Sequence, residues 1–191
     1  MLSRRTALQG DRPSRHIDSL PGPLSEALWS PDFVMQAIEI LPVLRRDGRL
    51  WSMSPEHADS FIVAWPASAR PEEVAEKAMV QLGMDPVVLH STSWRHANQE
   101  VVLTYLAVVP PEAEPPPSWQ ILEVGRSELA RGDATAPPTS IGVMQVQEHQ
   151  LRHLAWLRKD DPTIASLLDD WTDALSDYVP EPFRALGGPP I

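Results

Sequence analysis

A chain of 191 residues, 42% of them apolar, has the size and composition of one globular domain with a substantial core. Its formal net charge of −10 argues against non-specific binding to nucleic acid, which needs a basic surface. The absence of cysteine excludes disulfides, thiolate nucleophiles and cysteine-ligated metals.

In chain order, "MLSRRTALQG" carries the paired arginines of a twin-arginine export signal. The polar, turn-rich "DRPSRHIDSLPG" that follows lacks the apolar segment such a signal requires. Residues 1–31 therefore read as a weakly ordered arm, with one helical turn over Leu24–Trp29. "DFVMQAIEILPVLRRDGRLWSMS" reads as strands around a turn at Asp47-Gly48. Arg45, Arg46 and Arg49 make a local basic spot there, expected to be solvated. "SFIVAWPA" is a further short strand.

A helix is predicted from Pro71, with Glu72 and Glu73 at its positive end and Val74, Ala78 and Leu82 as its apolar stripe. Gly83 stands where a left-handed cap is wanted. "VVLHSTSW" and "EVVLTYLAVV" flank "RHANQ" as an antiparallel hairpin. Its second strand is almost continuously apolar, as expected when both faces are covered. "VVLTYLAVVP" is the longest strongly apolar run and is far too short to span a membrane. "PPEAEPPPSW" is a proline-rich surface connection, and "WQILEVGRSELARG" fits a short strand or a helix equally.

The final third is helical. Val143, Leu151, Leu154 and Leu157 share one face of a helix running to Lys159. Asp161-Pro162 is an N-cap followed by a first-turn proline. Ile164, Leu167, Leu168, Trp171, Leu175 and Tyr178 then form the stripe of a second helix. The domain is expected over 32–186, sheet-rich over 32–125 and helical over 140–179. A tail, 187–191, follows, with Phe183 and Leu186 pinning the segment before it.

The order strand, strand, helix ending in "LGM", hairpin and helices resembles the Nudix fold over about residues 33–125. "EKAMVQLGM", set on Gly83, is similar to that family's signature Arg-Glu-apolar-x-Glu-Glu-x-Gly-apolar. The resemblance implies an α/β/α sandwich: an α+β domain with a mixed β-sheet and a C-terminal helical layer. It also implies a family that hydrolyses nucleoside diphosphates with divalent metal ions held by glutamates. At the matching positions, however, stand Glu76 and Lys77 for arginine and glutamate, and Val80 and Gln81 for the two metal-binding glutamates. The signature's earlier glutamate and glycine fall on Ser68 and Ile62. The resemblance therefore implies the scaffold without the catalytic metal, and no cofactor is expected. Arginine greatly outnumbers lysine, which resembles the usage of high-GC bacteria such as actinobacteria.

Three clusters bear on function. Trp94, Arg95 and His96, near the hairpin tip, form a candidate ligand-binding group that could receive an anion. A regular strand would place His90, Thr92 and Trp94 on one face. No Gly-x-Ser-x-Gly elbow accompanies Ser91 or Ser93. His149 and His153 are one turn apart, and Trp156 continues their row on the face opposite the apolar stripe. These three residues are the candidate interface, meeting another subunit, a partner or the N-terminal arm. Their spacing suits a metal, but no further ligand is identifiable from sequence, so no metal is assigned. Asp169, Asp173 and Asp177 form an acidic row, expected to be a solvated face. The expected function is a cytoplasmic, non-catalytic binding or protein-interaction domain. Its expected partner is a protein or a second copy of the chain, or else a small-molecule or nucleotide ligand. The alternatives are a metal-dependent nucleotide or phosphate-ester hydrolase with a rearranged site, and an oligomerising structural protein.

Overall fold

The computed structural model describes residues 35–66, 68–97, 100–128 and 141–179. The expected arm over 1–31, the turn at Leu24–Trp29 and the tail with Phe183 and Leu186 lie outside the described residues.

Strands β1 (Met35–Arg46) and β2 (Arg49–Pro55) form the expected hairpin. Asp47 and Gly48 both take positive φ, 53° and 77°, as a type I′ turn demands. Strand β3 (Phe61–Ala64), helix α1 (Pro71–Gln81), strands β4 (Val88–Ala97), β5 (Glu100–Val108) and β6 (Trp119–Glu123), and helices α2 (Val143–Asp160) and α3 (Pro162–Leu167) follow. The six strands described make one mixed sheet, five of them in the order β4-β5-β1-β2-β6, with β3 off that path and paired to β1. The fold is α+β. One edge of β1 is shared: β3 pairs with Ala37–Ile40 and β2 with Val43–Arg46. Along its other edge β1 runs parallel to β5. The ambiguous "WQILE" is β6, an edge strand paired antiparallel to β2.

Alternation along the strands sorts the core into two faces. Val43, Leu50, Leu106 and Val108 pack with Leu151, Leu154, Leu168 and Trp171 of the C-terminal helices. Ile38, Ile40, Leu44, Met53 and Tyr105 pack on the other side with Ala75 and Met79 of α1 and with Met84. The sheet is thus sandwiched between helices. The buried line of α1 runs through Ala75 and Met79, with Val74, Ala78 and Leu82 along its flanks. Its end is a Schellman motif: the Met84 N–H donates to Met79 O at 3.1 Å and the Gly83 N–H to Val80 O at 2.9 Å.

The second C-terminal helix is shorter than expected. Asp161 caps α3 as anticipated, its carboxylate accepting from the Thr163 and Ile164 N–H groups. After Leu167 the chain passes through a 3₁₀ turn (Asp169–Trp171) and then further turns. Leu168 has φ −118° and ψ 36°, outside the helical region. Its carbonyl is taken by the Arg158 guanidinium at 2.8 Å and by the Trp171 N–H at 3.0 Å. The neighbouring aspartates are poor helix formers, so nothing compels the helix to continue. Leu168, Trp171, Leu175 and Tyr178 are nevertheless buried, whereas Leu167 is exposed.

Candidate functional site

Strand β4 lies at the edge of the sheet, and its register is broken between Ser91 and Ser93. His90 pairs with Leu106, Ser93 with Thr104, Trp94 with Leu103 and Arg95 with Val102. Thr92 is the extra residue of a β-bulge, which reverses the alternation beyond it. The expected grouping of His90, Thr92 and Trp94 on one face is therefore corrected. His90 and Arg95 face the α2 layer, and Trp94 faces the α1 side with 65% of its surface exposed. Trp94 and Arg95, expected to form one ligand group, point to opposite faces. The side chain of His96 lies outside the described residues.

Arg95 is engaged within the fold. Its guanidinium donates to both carboxylate oxygens of Glu39, at 2.6 and 2.8 Å. Glu39 is buried, and also accepts from the hydroxyls of Thr104 at 3.1 Å and Ser60 at 2.9 Å. Parallel pairing of β1 and β5 sets Glu39 beside Thr104. Four donors fill the acceptor sites of this carboxylate. Sequence reasoning missed Glu39. Its signal was a lone acid inside the apolar run "AIEIL", since an unpaired carboxylate is almost never fully buried.

A second buried carboxylate, Glu148, lies on α2. Arg126 reaches it with two hydrogen bonds at 3.0 and 2.9 Å, Arg152 with one at 2.8 Å, and the Ser127 N–H with one at 3.3 Å. Arg126 also lies 4.3 Å from the centroid of the Tyr178 ring. Burial pushes the Glu148 carboxyl up, but these hydrogen bonds outweigh it and hold it below its usual value. The Glu148–Arg152 spacing was a readable helix pair; its burial and its link to Arg126 were not.

The histidine row of α2 meets β4. His153 Nε2 stands 3.1 Å from His90 Nε2, with the rings stacked at 5.1 Å and 21°. The His149 Nε2–H points at the Thr92 carbonyl, 3.4 Å away, and its ring centroid is 6.4 Å from that of His153. Trp156 tilts against His153 at 5.4 Å and is 38% exposed. His149 and His153 thus contact β4 of the chain's own sheet. Burial, then the neighbouring His90 and His149, lower the His153 pKa to about 4. Burial lowers that of His90 as well. Both rings are neutral at physiological pH.

The positions resembling a diphosphate-hydrolase signature do not fit a magnesium ion. Val80 and Gln81 are exposed on α1 and supply no carboxylate, and Mg²⁺ demands hard oxygen ligands. Glu72 and Glu73 are paired with Arg70. Asp170 pairs with Arg45 at 2.8 Å. The aspartates approach α2 at Arg158, which donates to the Asp169 carbonyl and is rotated about 140° from His153 around the helix. Among the described residues no three His, Cys, Asp or Glu side chains converge as a metal site. No protein-family model matches the sequence, and no curated protein matches it.

Proposed function

We propose that this protein is a non-catalytic binding or protein-interaction domain on a Nudix-like scaffold, acting in the cytoplasm on a protein partner, a second copy of itself or a small ligand. The observation that carries this reading is that the two carboxylates buried among the described residues, Glu39 and Glu148, are closed by arginines and other donors of the same chain. A carboxylate that binds metal or moves protons in catalysis must keep an acceptor open to substrate, water or ion. Large apolar side chains lie at the surface: Ile62 is 56% exposed, Leu122 51% and Trp156 38%. Tryptophan is enriched where interfaces draw their energy. No helix among the described residues is long and apolar enough to cross a membrane.

The test is a thermal-shift screen of the full chain with nucleotides, alongside light scattering of wild type, Trp94→Ala and Trp156→Ala. A stabilising ligand, or an oligomer, that either substitution abolishes while the melting temperature of the free chain is kept supports the reading. Magnesium-dependent turnover of a nucleoside diphosphate library overturns it.

A further inference from the structure

The contact between β4 and α2 sets a limit on protons. His90 comes from the edge strand and His153 from the helix, and their Nε2 atoms are 3.1 Å apart. A hydrogen bond between two imidazoles needs one Nε2–H and one bare Nε2. The ring that donates can take an added proton at its other nitrogen and keep the bond. A second proton has only the bare Nε2 to occupy, and two Nε2–H groups cannot face each other at that distance. A third imidazole, His149, holds the Thr92 carbonyl with its ring centroid 6.4 Å from that of His153, so each positive charge gained by the cluster opposes the next.

We propose that His90 and His153 form an acid-released latch between the edge strand β4 and helix α2, closed while both rings are neutral and opened by the uptake of two protons. The charged groups of this layer do not hold an imidazolium in place. On the strand, Arg95 faces the same layer as His90, and on the helix Arg152 precedes His153. The buried carboxylates are already closed, Glu39 by Arg95 and Glu148 by Arg126 and Arg152. From β5, Leu106 opposite His90 brings no charge. Burial lowers the pKa of both rings, that of His153 to about 4, whereas a solvated imidazole titrates at about 6.5. The latch therefore holds in full above about pH 6.5 and weakens as pH falls towards the folded values. Opening releases the Thr92 carbonyl from His149 and bares the side of β4 that faces α2.

The experiment is amide hydrogen exchange of the full chain between about pH 7 and pH 4.5, corrected for intrinsic rates, with imidazole NMR on the same samples. The opening constant of the β4 amides around His90 should rise about a hundredfold per pH unit below about pH 6, the slope for two protons. His90→Gln and His153→Gln each keep a hydrogen-bonding amide and lose one titrating ring, so each should cut the slope to about tenfold per unit. His57→Asn, in the exposed turn after β2, should leave the slope unchanged. Wild type alone also decides the matter, with no variant needing to fold: the His90 and His153 ring signals should titrate together with the exchange of β4. Opening that ignores pH, a slope that both Gln variants keep, or both rings gaining protons while β4 stays protected overturns the proposal.

Discussion

Glu39 and Arg95 show how a charged pair behaves when only one member is sealed from water. The Glu39 side chain is 4% exposed and that of Arg95 is 23%. Removing Arg95 strands a buried carboxylate on two hydroxyls, so Arg95→Ala should cost about 3 kcal/mol in urea unfolding. Replacing both partners by apolar side chains, Glu39→Leu with Arg95→Met, should recover most of that loss. A double variant as unstable as Arg95→Ala would contradict this account. From sequence, Arg95 read as an anion receiver at a hairpin tip. Its partner lies in a strand that closes against β5 only through tertiary pairing, and local pattern cannot register that. Thr92 carries the same lesson. A bulge inserts one residue without any composition signal, and the side-chain order His90, Thr92, Trp94 gave no warning of the reversal beyond it.

Elements bounded by local chemistry were legible, and those bounded by packing were less so. The Asp47-Gly48 turn, Pro71 at the start of α1, Gly83 at its end and the Asp161 cap all stand where turn and capping rules place them. Gly83 has φ 74°, and a Cβ added there would meet no atom within 4 Å, so Gly83→Ala meets backbone strain without a clash. It should cost about 1 kcal/mol, and Gly83→Asn should cost less, as thermal melts would show. The end of α3 is different. A continuous stripe from Ile164 to Tyr178 implied one helix, yet Arg158 and Trp171 take the Leu168 carbonyl and the chain turns. The stripe foretold which residues are buried, though not the path between them. Leu168 is 1% exposed, and Leu168→Ala should cost about 2–5 kcal/mol. A variant that melts with wild type would make the C-terminal segment energetically independent of the sheet.

At the scale of the whole molecule, Glu148 joins α2 to the segment leaving β6 and contributes to the response to acid. Its folded pKa is lowered, so its stabilising effect is complete above the ordinary carboxylate range and is lost as pH falls through that range to the folded value. Urea midpoints of wild type should therefore decline below about pH 4.5 more steeply than those of Glu148→Gln, a less stable variant with a flatter acid limb. Parallel slopes would show that other carboxylates set the response.

The placement of β1 has a consequence for how the chain reaches its fold. β2 and β3 pair along one edge of β1 and follow it closely, whereas β5 pairs along the other and lies far downstream, as Val43 with Val108. A growing or refolding chain thus pairs β2 and β3 with one edge of β1 while the opposite edge, through Ile38, Ile40 and Val43, waits bare. Long-range pairing of this kind is slow, and a bare apolar edge invites a neighbouring chain to pair instead. Refolding yield should fall steeply as protein concentration rises, with unfolding rates unchanged. Arginine or lysine in place of Ile38 would relieve such association only by destroying the strand's seat against α1, so protection during folding has to come from speed, dilution or a chaperone.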